Sequence, residues 1–356
     1  MVGMTVRMKD IAEDLGLSVV TVSKVLRNHP DISEVTRNRV LQRIKELNYS
    51  PNLIARSLVT GRSYMIGLVV PDLLHPFFAE VAKSLSKLLR KRGYYLLIAS
   101  SEGDPALEEN EVDHLLARGL DALIIASCQS KCDLFEKLKD RGMPFVLLDR
   151  EYPGLSADFV GVDDEAVGRA AAQHLIDIGC RRVAHIRGPE NSVGNRRLKG
   201  FESALTANGL KLPRDYIIVR DALDTESHKQ GREGMLELLK RKTIPDGVFC
   251  YSDPIAMGVV DAILSQGMTV PDDIAVIGCG NLHYDDSLRV PLSSIDQNSI
   301  AIGERVGKMA LDLLDRPQKT RSRRVLVESR LVVRASTQKK NQKGKPSVAR
   351  RESHAR

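Results

Sequence analysis

The chain has 356 residues, 42% of them hydrophobic and 28% charged, with a net charge of +7 and no tryptophan. That length supplies two packed domains and a small extra module, and no run approaches the roughly 18 apolar residues of a membrane span. The opening "MVGMTVRMKDIAEDLG" carries charges where an export signal needs an unbroken apolar run, so a cytoplasmic location is expected. Positive charge concentrates in residues 1–63 and 338–356, while the stretch between is mildly acidic, so a polyanionic partner should be met by the ends. Cys128, Cys132, Cys180, Cys250 and Cys279 are odd in number and scattered, which fits idle thiols better than a metal site or a disulfide framework. No metal or cofactor is expected.

Residues 1–49 read as three short helices. Ile11, Ala12 and Leu15 mark the first, which Gly16 ends. Ser18 is placed to cap the second, "VVTVSKVLR", whose Val22, Val25 and Leu26 fall on one stripe while Val19 and Val20 stand off it at the front. Ser33 opens the third, with an expected inward stripe of Val35, Val40, Ile44 and Leu47. Two helices joined by a tight turn, the second leading with its N-terminal residues, form the helix-turn-helix layout that enters a DNA major groove. Short apolar side chains at Val19 and Val20 suit thymine methyl groups. Thr21 and Ser23 suit phosphates, and Lys24 suits a guanine edge or a phosphate.

Residues 50–63, "SPNLIARSLVTGRS", read as a linker whose short helical stretch from Asn52 to Leu58 is marginal on its own. From Tyr64 onward the pattern becomes buried strands alternating with amphipathic helices: "MIGLVVP", "DALIIAS", "FVLLD", "RVAHIRG", "GVFCYS" and "IAVIGCG". Continuous apolar strands of this kind indicate parallel sheets covered on both faces. The series is too long for one sheet, so two α/β lobes are expected, with a ligand cleft at strand C-termini between them. Residues 338–356 are basic and poor in apolar side chains, and read as a disordered tail.

No Walker lysine loop, no G-x-G-x-x-G after a strand and no H-E-x-x-H is present, and the S-x-x-K at Ser84 to Lys87 lies on an amphipathic helix. The chain is therefore not expected to be an enzyme. A solute-binding transport protein would share the two lobes but would not need the basic head.

The segment "MKDIAEDLGLSVVTVSKVLRNHPDIS", followed in order by "VGVDDEAVGRAAAQHLIDIG", "RRVAHIRGP", "RRLKGFESAL", "SDPIAMGVVDAILSQGMTVPDDIAVIG" and "PLSSIDQ", resembles the lactose-repressor (LacI/GalR) family of bacterial transcription regulators from about Val6 to Arg334. The resemblance implies an all-α helix-turn-helix DNA-binding head joined to an α/β two-lobed periplasmic-binding-protein-like effector domain. It implies a repressor that binds a pseudopalindromic operator as a homodimer, under control of a small-molecule effector, a sugar or sugar derivative, in the cleft. By position Val19, Val20 and Lys24 would read bases, with Thr21, Ser23 and Asn52 also at the DNA. Residues 50–63 would fold as a hinge helix whose Leu58 wedges into the minor groove.

The effector domain would span 64–337, with lobe one at about 64–162 and 293–322, and lobe two at about 163–292 and 323–337. Effector contacts are implied for His75, Phe77, Phe78, Asp163, Arg197, Asp253 and Gln297. Phe77 and Phe78 could equally be core, and Asp163 could be a helix cap. Ser252 replaces the family's usual asparagine, and Ala222 or Leu223 stands where relatives carry an aromatic lid, which argues against a large flat ligand. Arg196, Arg197, His75 and His228 would suit an acidic or phosphorylated sugar. The tail lacks the leucine heptads that join dimers into tetramers. Its lysines and arginines would add non-specific DNA affinity or solubility.

Overall fold

The computed structural model describes residues 6–26, 29–49, 57, 60–220, 224–315 and 321–338. Asn52, Leu58, Ala222, Leu223 and residues 339–356, for which the sequence raised expectations, lie outside the described residues. The chain divides into two compact units, residues 1–63 and 64–356.

The first unit holds α1 (Met8–Leu15), α2 (Val19–Leu26) and α3 (Glu34–Glu46). Gly16 ends α1 in the left-handed conformation, φ +65°, and its N–H donates back to the Ala12 and Glu13 carbonyls. Few residues other than glycine take that φ without strain, which is why the turn falls there. Ser18 caps α2 by accepting the Thr21 N–H at 3.0 Å, and Ser33 caps α3 by accepting the Thr36 N–H at 3.3 Å. The core is Ile11, Ala12, Val22, Val25 and Val40, with Ile44 and Leu47 packed against it. Val35 is not in that stripe; it is 73% exposed. Five residues separate it from Val40, which turns it about 140° from the inward face.

The second unit contains two six-stranded sheets. The strands are β1 (Met65–Val70), β2 (Tyr95–Ser100), β3 (Ala122–Ile125), β4 (Phe145–Leu148), β5 (Asp158–Val162), β6 (Val183–Arg187), β7 (Ile217–Val219), β8 (Gly247–Cys250), β9 (Ala275–Cys279), β10 (Ser293–Asp296), β11 (Arg324–Val327) and β12 (Arg330–Val332). Sheet one runs β11-β5-β4-β3-β1-β2, with every neighbouring pair parallel. Sheet two runs β12-β10-β9-β8-β6-β7 and is parallel except for the β10–β12 pair.

Both sheets are covered on both faces, as continuous apolar strands require. In lobe one, Leu68, Ile124 and Val146 meet α4 (Pro76–Lys91) and α11 (Ser299–Asp315), while their neighbours Val69, Ile125 and Leu147 meet α5 (Pro105–Ala117) and α6 (Asp133–Asp140). This is the two-residue alternation of a strand written into an all-apolar run. In lobe two, Phe249 and Ile277 face α7 (Asp164–Asp177) and α8 (Ser192–Ala207), while Val248 and Val276 face α9 (Asp224–Leu239) and α10 (Asp253–Ser265).

The chain crosses between lobes three times: after β5, after β10 and between β11 and β12. Two expected boundaries shift as a result. β10, at 293–296, belongs to sheet two because it pairs with β9, and β11, at 324–327, belongs to sheet one because it pairs with β5. Neither strand carries the long apolar run of its neighbours, so the sequence pattern could not decide between these placements. All five cysteines are free thiols.

Candidate functional site

Two surfaces carry the chemistry. In the head, α2 presents Val19 at 44% and Val20 at 62% exposure, although nothing in a solvated helix rewards two bare valines. Thr21 is half-buried, its hydroxyl 2.9 Å from the Ser18 hydroxyl, and Ser23 is half-buried one residue before Lys24. The Lys24 ammonium lies 2.6 Å from the Asp31 carboxylate, a partner that the sequence pattern did not reveal. Asn52 and Leu58 cannot be placed, being outside the described residues.

In the second unit, a cavity of about 930 Å³ lies between the lobes. Its walls come from the C-terminal ends of strands: Asp72 after β1, Ser127 after β3, Asp149 and Arg150 after β4, Tyr251 and Ser252 after β8, and Gln297 after β10. That is where parallel α/β sheets leave room for a ligand. His75, Phe77, Phe78, Arg197 and Gln297, five of the seven expected effector residues, line it. Phe77 and Phe78 serve both as wall and as core: they are 4% and 6% exposed and pack edge to face, with ring centroids 5.1 Å apart.

Asp163 and Asp253 do not line the cavity. Asp163 is an exposed cap, accepting the Ala166 N–H at 3.0 Å at the start of α7. Its neighbour Asp164 takes the inward position, 3% exposed, and accepts from Arg197 Nε at 2.9 Å. Asp253 is fully buried at the first turn of α10. It accepts from the Ser294 hydroxyl at 2.7 Å and the Leu282 N–H at 3.3 Å, beside the Asp285 carboxyl. It therefore ties α10 to β10 and to the loop after β9, behind the cavity wall.

Arg197 is 3% exposed and doubly anchored: Nε donates to Asp164, Nη1 donates to the Tyr251 carbonyl at 2.9 Å, and the guanidinium lies 4.9 Å from the Tyr251 ring centre. Burial pushes the Asp164 carboxyl up to about 7 against the pull of Arg197. Asp149, 7% exposed, holds a left-handed φ of +64°, and its carboxylate has no hydrogen bond among the described residues. Burial raises its pKa, opposed by Arg197 and Arg150. The Nε of Arg150 and the Nδ1 of His75 are likewise buried without a partner. A backbone outlier beside unpaired buried polar groups is a mark of a ligand-facing site.

Sequence reasoning missed Asp149, Arg150, Asp164 and Tyr251. The signal for the first two was present in "FVLLDR", a charged pair directly after a buried strand, where ligands meet parallel sheets.

Of the four groups read as favouring an acidic ligand, three are engaged by carboxylates and the fourth is uncharged. Arg196 pairs with Glu151, which Arg324 also holds at 2.7 Å, and Arg197 pairs with Asp164. Burial lowers His75 to about 4, so it is neutral near pH 7, and His228 pairs with Asp261 at 2.8 Å and does not line the cavity. Among the described residues no cluster of His, Cys, Asp or Glu could hold a metal ion, and no helix is long and apolar enough to cross a membrane.

Comparison with known proteins agrees with this geometry. Residues 7–52 match the family described as bacterial regulatory proteins, lacI family, and residues 172–337 match the periplasmic binding protein-like domain. The chain is 30% identical to the HTH-type transcriptional regulator DegA of Bacillus subtilis (strain 168), covering 92% of this chain and 97% of that protein. It is 32% identical to the HTH-type transcriptional repressor PurR of Histophilus somni (strain 129Pt), covering 86% and 90%. A solved complex of the transcriptional regulator CelR with cellobiose superposes with a TM-score of 0.71 at 28% identity, covering 93% of this chain and 99% of that one. With a helix-turn-helix head, a two-lobed effector domain and relatives of this identity over nearly the whole length, the chain belongs to the lacI family of bacterial transcriptional regulators, and is not an enzyme.

Proposed function

We propose that this regulator is a cytoplasmic repressor that binds a pseudopalindromic operator as a homodimer and is controlled by an uncharged sugar or sugar derivative held between the lobes. The observation that carries the ligand reading is the polar set on the cavity wall: the buried, unpartnered Arg150 Nε and His75 Nδ1 beside the 7% exposed Asp149 carboxylate. A carboxylate accepts from a hydroxyl while a neighbouring guanidinium donates to the next one, which suits a vicinal diol. With Arg196 and Arg197 both paired to carboxylates, an anionic ligand would find little uncompensated charge. A cavity of about 930 Å³ accommodates a mono- or disaccharide, and the CelR complex holds cellobiose.

In this reading His75, Phe77, Phe78, Arg197 and Gln297 contact the effector together with Asp149 and Arg150, and Asp163 and Asp253 act as cap and support. At the operator, Val19 and Val20 read thymine methyls, Thr21 and Ser23 hold phosphates, and Lys24 reads a base edge. Asn52 and Leu58, which lie outside the described residues, also act at the operator. Calorimetry against a panel of neutral sugars, uronates and sugar phosphates tests the ligand reading. The expected result is binding of one neutral sugar, lost by at least tenfold in Asp149→Asn; preferential binding of a charged sugar would overturn it.

A further inference from the structure

A free lysine can serve either a guanine edge or a phosphate. Its ammonium rides on a flexible four-carbon stem and gravitates to the densest negative charge, which on a duplex is the phosphate backbone. Lys24 of this chain is not left free in that way. The segment joining α2 to α3 brings a carboxylate to it from seven residues away, with Asp31 Oδ2 at 2.6 Å from Lys24 Nζ. The other oxygen, Oδ1, lies 2.7 Å from His29 Nδ1, so the carboxylate is held on both sides. The segment itself is anchored to both helices. The His29 N–H donates to the Lys24 carbonyl at 3.0 Å, and Arg37 on α3 donates to the His29 carbonyl at 2.8 Å. Pro30 restricts the backbone between them, and Ile32 packs into the small core.

The pair is partly exposed, with side chains 35% and 45% accessible, so the carboxylate offsets part of the ammonium's attraction for a phosphate while leaving N–H donors to offer. A guanine O6 or N7 in the major groove can take them without meeting a bare charge. We propose that Asp31 is a specificity-determining residue of the DNA-binding head: it holds Lys24 as a positioned donor to a base edge and withholds it from the phosphates. This rests on Lys24 lying at the DNA. A carboxylate beside a DNA-contacting ammonium also repels phosphates, so on this proposal the head gives up some non-specific affinity in exchange for discrimination.

The test uses the full chain and four proteins: wild type, D31N, K24A and K24A/D31N. Each is titrated with salt on random-sequence duplex, and each is used to select sites from a randomised library. The expected result is that D31N binds random duplex about threefold to tenfold more tightly, with a slope of log affinity against log salt steeper by about 0.9, the value of one released phosphate contact. D31N also loses preference at one base pair of each half-site, and K24A/D31N matches K24A in both readouts. If D31N strengthens binding equally in the K24A background, Asp31 merely repels DNA and the proposal is wrong. If D31N changes neither slope nor base preference while K24A changes both, Lys24 needs no positioning and the proposal is again wrong. If K24A itself changes neither, Lys24 is not at the DNA, and the reading beneath the proposal fails first.

Discussion

Replacing Gly168 with alanine should destabilise lobe two and disturb the cavity together. Gly168 sits on α7 where that helix crosses α8, and a Cβ built on it falls 2.0 Å from the Arg197 carbonyl oxygen and 2.8 Å from the Phe201 nitrogen. The crossing is reciprocal: a Cβ on Gly200 of α8 falls 2.0 Å from the Glu165 carbonyl oxygen. Since an ordinary contact begins near 3.4 Å, the two helices must part by more than an ångström, and the obstructing atoms are backbone, which no rotamer change can move. Overpacking of this kind costs about 1–3 kcal/mol and more where relaxation is blocked. Helix propensity works in the opposite direction, favouring alanine over glycine by about 1 kcal/mol. With backbone atoms blocking relaxation the steric cost lies at the upper end and wins, leaving a net loss of about 2 kcal/mol. Urea unfolding of wild type and Gly168→Ala measures this directly. Because the obstructing carbonyl belongs to Arg197, affinity for the proposed effector should fall in the same variant. A variant as stable as wild type, or more stable, would show that propensity outweighs the crossing and would refute the argument.

Three further outcomes follow from the buried charges. His185 stacks on Phe249 with centroids 4.6 Å apart, and burial lowers its pKa to about 3. The unfolded chain therefore takes a proton below about pH 6.5 that the folded chain refuses, and stability falls as the pH drops through that range. His185→Phe should gain about 2 kcal/mol on wild type at pH 5 relative to pH 8, measured by urea unfolding at both; an unchanged difference would contradict the burial argument. The Asp253–Asp285 pair behaves oppositely. Burial, with Asp253 alongside, raises Asp285 to about 8, so its contribution is present below about pH 4 and is lost as the pH climbs through 8. Asp285→Asn should therefore be more stable than wild type at pH 9 by more than it is at pH 5, read from melting temperatures. Glu151 joins the lobes, pairing with Arg196 on α8 and Arg324 on β11 while its N–H donates to the Ser192 hydroxyl at 3.0 Å. Glu151→Gln should cost about 1–2 kcal/mol and increase the scattering radius of the chain as the lobes separate; an unchanged radius would mean that the covalent crossings alone set the spacing.

Much of the fold was legible because it depends on local rules. Gly16, Ser18 and Ser33 marked helix ends through backbone chemistry that holds in any context, and the apolar strand runs followed from burial on both faces. What misled was phase and partner choice. Val35 shares the composition of an inward stripe but sits at the wrong angle from Val40. β10 and β11 are each only four residues long, and it is pairing that assigns them to opposite lobes. At the site, two adjacent aspartates, Asp163 and Asp164, offered the same chemistry, and the choice between cap and inward partner is fixed by where Arg197 lies on the crossing helix. The Lys24–Asp31 contact joins α2 to a residue seven positions further along, beyond the helix, and follows no helical periodicity. Asp149 and Arg150 were within reach, since the end of a buried strand is the position at which a parallel sheet presents side chains to a ligand.

The most direct test of the account is selection of genomic fragments by the full-length protein at about 150 mM salt, where non-specific phosphate binding is weakened. The account predicts enrichment of one short inverted repeat whose half-sites place thymines opposite Val19 and Val20, with affinity reduced when those thymines are replaced by uracil, which lacks the methyl group. Uniform, salt-sensitive recovery of fragments with no shared repeat would contradict it.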